Sequence, residues 1–145
     1  MADPRSLELK LESKVDSVDA AELIVQGLAR EAGHPEDEID HLGMAVRESM
    51  VNAVTHGNGY SAEKWVYFSA RVEKDGGLRV GIRDEGEGFE PRGVPDPTAP
   101  ENLLKTSGRG LLLMRALVDE FSVERAEPRG MQVTMFKKGP GAKRG

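Results

Sequence analysis

The sequence predicts an α/β two-layer sandwich, a mainly antiparallel sheet covered on one face by three helices. Two observations carry this. Apolar and polar residues alternate in short runs bounded by turn residues, the period of a half-buried strand. Between those runs lie longer stretches whose apolar residues recur every three or four positions, the period of an amphipathic helix. The order is strand, helix, helix, hairpin, loop, helix, hairpin, with no internal repeat.

Leu7, Leu9 and Leu11 alternate with Glu8, Lys10 and Glu12 and predict the first strand. Asp16 or Ser17 is suited to cap a helix whose apolar side holds Leu23, Ile24, Leu28 and Ala29. Gly33 ends it, and Pro35 reopens the chain. Ile39, Leu42, Val46, Met50, Ala53 and Val54 predict a long second helix, stopped by Gly57 and Gly59. Val66, Phe68, Ala70 and Val72 then alternate, as do Leu78, Val80 and Ile82. Asp75-Gly76-Gly77 between them is a hairpin signal, because glycine accepts positive φ. From Asp84 to Gly108 runs a loop of roughly twenty residues holding Pro91, Pro95, Pro97 and Pro100, a length that usually marks a lid or a disordered segment. Leu111, Leu112, Met114, Arg115 and Leu117 predict the third helix. Phe121 and Val123 begin a strand, and a turn at Pro128-Arg129-Gly130 leads to Met131, Val133 and Met135 in the last one.

The 145 residues suit one domain, expected over 1–138, with 139–145 a frayed tail. A hydrophobic content of 38% with 31% charged residues fits a folded, soluble chain. The net charge of −5 argues against direct nucleic-acid binding, which needs Lys and Arg to neutralise phosphates. The chain contains no cysteine, which excludes disulfides and thiolate metal sites. Neither a signal peptide nor a membrane-spanning run is visible, so the expected setting is cytoplasmic, away from membranes.

Three segments carry chemistry. Glu48 and Asn52 are four apart on the second helix and so share a face, with Ala45 and His56. Asn52 offers a neutral carbonyl oxygen suited to Mg²⁺ already held by phosphates. Glu48 is suited to take a proton from an attacking hydroxyl or to orient a water. Asp84 ends an apolar strand, where a carboxylate can accept a hydrogen bond from an exocyclic amine such as that of adenine. Gly86 and Gly88 let the backbone approach a flat ring. Gly108-Arg109-Gly110 opens the third helix, whose first amides favour phosphate, with Arg109 adding charge. Each segment alone also fits a plainer role: a solvated polar pair, an acidic turn, a loop feeding a core helix.

Rival motifs fail on their own spacing. A calcium loop needs oxygen side chains where Gly86 and Gly88 stand. A dinucleotide fingerprint lacks its third glycine at Pro91 in one segment and at Leu113 in the other, and no Gly-Lys-Ser/Thr phosphate loop occurs.

As a set, the three segments resemble the Bergerat-type ATP-binding fold of the gyrase, Hsp90, histidine-kinase and MutL superfamily. Within it the chain is most similar to small stand-alone anti-sigma-factor serine/threonine kinases. The resemblance runs from the first strand to Lys137. Residues Ala45 to Gly57 resemble the N-box, Asp84 to Phe89 the first glycine box, and Gly108 to Leu111 the second. The resemblance implies ATP and Mg²⁺ as cofactors. It implies Glu48 as general base, Asn52 as Mg²⁺ ligand, and Asp84 on the adenine amine with Gly86 and Gly88 beside it. Gly108 and Gly110 would contact the phosphates, and Arg109 and Leu111 belong to the same nucleotide-binding set. It further implies a sigma factor and an anti-sigma-factor antagonist as partners, phosphorylation of the antagonist on Ser or Thr, and a homodimer. The alternative is a non-catalytic, ATP-regulated binding module that sequesters a regulator. A third possibility, an ATPase fragment of a larger machine, lacks a coupling domain.

The chain departs from the pattern at Met131, where the family often has a threonine after Gly130; adenine affinity or its water network is expected to differ. Prolines are expected to restrict the lid. No phosphoacceptor-histidine helix pair precedes the domain, which disfavours a complete histidine kinase. His56 reads as a cation favoured at a helix C-terminus, and His34 and His41 read as surface residues. Trp65 and Tyr67 are expected to pack on or flank a strand, and the basic tail to be solvated.

Overall fold

The computed structural model describes residues 5–87 and 114–140. Within them lie β1 (Arg5–Glu12), α1 (Val15–Glu31), α2 (Glu36–Val51), a π-helix (Asn52–Gly57), β2 (Trp65–Val72), β3 (Leu78–Arg83), β4 (Glu120–Arg125) and β5 (Met131–Lys137). Residues 114–117 are also helical. The strands form one five-stranded sheet in the order β1-β2-β3-β5-β4, every pair antiparallel.

The sheet is one-sided, as the alternation requires. Val66, Phe68, Ala70 and Val72 of β2 and Leu78, Val80 and Ile82 of β3 point into the core. Against them pack Val18, Ala21, Val25 and Ala29 of α1 and Ile39, Leu42, Val46 and Met50 of α2. Met114 joins the same core, and the Ser49 hydroxyl donates to its sulfur. The other sheet face carries Trp65 and Tyr67, each covered by a cation: Lys10 Nζ lies 4.5 Å from the Trp65 ring centre and the Arg83 guanidinium 4.2 Å from that of Tyr67. Both aromatics therefore sit on a strand, as expected.

Several details differ from the sequence reading. Helix α1 starts at Val15 with Lys14 as N-cap and no side-chain cap, while Asp16 lies in the first turn. A carboxylate there still favours the positive end of the helix dipole. Leu23 is 69% exposed, because the face that meets α2 and the sheet is set by the small residues Ala21, Val25 and Ala29. His34 is buried, not superficial: its Nε2 lies 2.7 Å from the Gly76 carbonyl. A carbonyl only accepts, so Nε2 is the protonated nitrogen. The second helix does not stay α-helical to Val54; it widens into the π-helix at Asn52. At the end of the described residues, Lys138 donates its amide to Asp119, and Pro140 lies against the β2–β3 turn at Gly76. No helix of the described residues is long and apolar enough to cross a membrane.

Candidate functional site

The site forms where the C-terminal end of α2 meets the ends of β3 and the start of β5. Helix α2 is held there by its buried face, so Glu48 and Asn52 project from a fixed rod. The Asn52 amide is shared between the carbonyls of Glu48 and Ser49. One π turn follows, closed by the Asn58 amide on the Ala53 carbonyl at 2.8 Å. Such single wide turns are often found at functional sites, because they re-aim side chains that an α-helix would stack.

Asn52 Oδ1 is buried and has no hydrogen-bond partner among the described residues. An orphaned buried carbonyl is uncommon and calls for an explanation. A hard cation supplies one: neutral oxygen is a proper ligand for Mg²⁺, which takes few protein ligands and keeps phosphate and water as the rest. Among the described residues no group of three or more His, Asp or Glu side chains could hold a metal ion alone. The residues present thus fit Mg²⁺ carried in with a phosphorylated ligand. Glu48 is half-buried one α turn earlier, with no hydrogen bond within the described structure that would occupy its carboxylate.

Asp84 follows β3 directly and is 7% exposed. Its backbone extends the β3–β5 pairing, with its amide 3.1 Å from the Met131 carbonyl. Its Oδ1 accepts the amides of Gly86 at 2.9 Å and Met131 at 3.2 Å. Both bonds fall on one oxygen, which fixes the carboxylate and directs Oδ2 toward Gly57. Burial pushes the carboxyl above its ordinary range; the amides of Gly86 and Met131 and the charge of Lys64 oppose this. The backbone amide of Met131, whatever its side chain, helps to secure the carboxylate.

Glycines leave the room this requires. A Cβ on Gly57 would stand 2.5 Å from Asp84 Cγ, and one on Gly86 2.8 Å from the Gly57 carbonyl carbon. Gly130, at φ +93°, turns the chain into β5 where a Cβ would lie 2.8 Å from the Asp84 carbonyl carbon. Three chain segments thus close on one carboxylate.

Glu48, Asn52, Asp84 and Gly86 lie within the described residues. Gly88, Gly108, Arg109, Gly110 and Leu111 lie outside them, as does Phe89. Sequence reading missed the part played by Gly57, which looked only like a helix stop, and by Asn58 and Glu85. Asn58 is 2% exposed and its Oδ1 accepts the Glu85 amide at 2.7 Å. Glu85 turns away from Asp84, accepting the Trp65 amide at 2.7 Å and facing Arg129 at 3.5 Å. A polar residue next to a helix-ending glycine was the only available signal. His56 is exposed in the last turn of the π-helix, consistent with the position expected for it.

Comparison with known proteins agrees with this geometry. The family described as histidine kinase-like ATPase domain matches residues 11–137. An anti-sigma F factor of Clostridium acetobutylicum is 31% identical over 91% of this chain and 92% of its own length. The serine-protein kinase RsbW of Bacillus licheniformis is 34% identical over 90% of this chain and 84% of its own. Among solved structures, the RsbU and RsbW domains of a Mycobacterium tuberculosis protein superpose with a TM-score of 0.65 at 20% identity, covering 92% of this chain and 32% of that longer one. By the extent of these matches and by its fold, this chain belongs to the histidine kinase-like ATPase domain family.

Proposed function

We propose that this chain, as one domain over residues 1–138, is an ATP-dependent serine/threonine protein kinase acting as an anti-sigma factor. It binds a sigma factor and phosphorylates an antagonist protein on Ser or Thr. The names of its relatives, an anti-sigma F factor and serine-protein kinases, support this reading. The observation that carries it is the pairing of Glu48, half-buried and without a described partner, with the orphaned carbonyl of Asn52 one turn on.

Asp84 Oδ2 accepts the exocyclic amine of adenine and so orients the base. Asn52 Oδ1 would hold Mg²⁺, which when bound would neutralise charge on the phosphates. Glu48 accepts the proton of the antagonist's hydroxyl as its oxygen attacks the γ-phosphorus, and ADP leaves. Gly86 and Gly88 allow close approach to the ring, and Gly108, Arg109, Gly110 and Leu111 contact the phosphates. Most of the rate comes from positioning and electrostatics, as is general for phosphoryl transfer. The chain works as a cytoplasmic homodimer without direct nucleic-acid or membrane contact.

The test is purified protein with MgATP and the partner antagonist, followed by phosphosite mapping. Phosphoserine or phosphothreonine on the antagonist is expected, and at least about 100-fold less of it with Glu48→Gln. A Glu48→Gln protein that retained full transfer would assign the base elsewhere. Wild-type protein that bound ATP and the sigma factor yet never transferred phosphate would establish the non-catalytic binding module instead.

A further inference from the structure

Among the described residues a buried polar hub centred on Asn58 adjoins the site without being part of it. Asn58 donates its side-chain amide to Ser13 Oγ and to the Trp65 carbonyl, both at 2.9 Å. Its Oδ1 accepts the Glu85 amide at 2.7 Å, and its backbone amide closes the π-helix on Ala53. Ser13 in turn donates to the Lys64 carbonyl at 2.5 Å. One side chain therefore ties together the β1–α1 junction, the start of β2, the end of the π-helix and the peptide that follows Asp84. Its chain neighbour Gly57 walls the Asp84 carboxylate. Side chain and backbone of Asn58 thus set the spacing between the helix end that bears Asn52 and the strand end that bears Asp84.

We propose that Asn58 is a positioning residue for nucleobase choice. By pinning the Glu85 peptide, it denies Asp84 the freedom to move away from a base that presents an acceptor. An adenine amine then gains a bond to Oδ2, whereas the 6-oxo group of guanine meets a fixed, negatively charged acceptor. A carboxylate that could swing aside would tolerate both. Discrimination of this kind depends on rigid polar groups left unpaired by the wrong ligand. The proposal rests on the reading of Asp84 as the adenine acceptor.

Dissociation constants for ATP and GTP are measured on wild type, Asn58→Ala, Ser13→Ala and Asp84→Asn, alongside thermal unfolding. Ser13→Ala removes two bonds of the hub, that from the Asn58 side-chain amide and that to the Lys64 carbonyl, and keeps the Asn58–Glu85 bond. It is expected to lower the melting temperature and keep the ATP-over-GTP preference. Asn58→Ala is expected to shrink that preference by about tenfold, through weaker ATP and stronger relative GTP binding. A folded Asn58→Ala protein with the wild-type preference overturns the proposal. So does an equal loss of preference in Ser13→Ala, which would mean general loosening. If Asn58→Ala does not fold, amide exchange on the wild-type protein decides: the Glu85 amide should be as protected as that of Ile82, and fast exchange at Glu85 overturns the proposal. Unaltered ATP binding by Asp84→Asn would overturn the adenine reading itself. Lost ATP binding in Asp84→Asn with an intact preference in Asn58→Ala would overturn the role of Asn58 alone.

Discussion

Replacing Asp84 by asparagine should separate binding from stability. Oδ1 of Asp84 already accepts the amides of Gly86 and Met131 at 2.9 and 3.2 Å. The asparagine carbonyl must therefore occupy that position, since its NH₂ cannot accept them. Its NH₂ is forced to the place of Oδ2, where it faces the adenine amine donor to donor. The loss is one charge-assisted hydrogen bond, about 1.5–3 kcal/mol, so the ATP dissociation constant should rise about 10- to 150-fold. Stability should move the other way. Burial raises the Asp84 carboxyl, so the folded state holds its proton to higher pH than the unfolded chain does. Below the ordinary carboxylate range both states are protonated and the group is neutral to stability. As pH climbs from that range through the raised folded value, the ionised form costs stability, and beyond it the loss is constant. The asparagine protein should lack this decline and, without ligand at neutral pH, be at least as stable as wild type. Titration calorimetry with ATP and urea unfolding across pH 3–8 measure both effects. ATP affinity within about twofold of wild type would refute the binding argument, and a neutral-pH stability loss above about 1 kcal/mol would refute the burial argument.

Three further outcomes are expected. Glu48→Gln should lower phosphoryl transfer at least about 100-fold while ATP affinity changes less than about twofold, measured by radiolabelled transfer and calorimetry. Gly57→Ala places a Cβ 2.5 Å from Asp84 Cγ and should cost about 1–3 kcal/mol of stability together with ATP affinity, read from urea unfolding and nucleotide titration. Phe68→Ala, from a side chain 1% exposed on the interior strand β2, should cost about 3–5 kcal/mol, seen as a lower urea midpoint with little change in slope.

The strand pattern of the fold was legible because a one-sided sheet imposes its period on the residues themselves. Val66 to Val72 and Leu78 to Ile82 all pack as their alternation indicates. The π-helix was not legible. Ala53 and Val54 are buried as an α-helical reading also expects, so spacing alone does not register one extra residue in a turn. Leu23 and His34 exchanged their expected places for a related reason: burial depends on what packs above a residue, and that partner lies elsewhere in the chain.

The sequence by itself determined the layered α/β class, the shared face of Glu48 and Asn52, and Asp84 at a strand end, because each follows from local period and spacing. Only the tertiary structure decided that Gly57, Gly86, Gly130 and the Met131 backbone converge on Asp84. It alone left the Asn52 carbonyl without a partner among the described residues and buried Asn58 among three separate segments. Close approach and desolvation are relations between distant segments, and no local pattern encodes them.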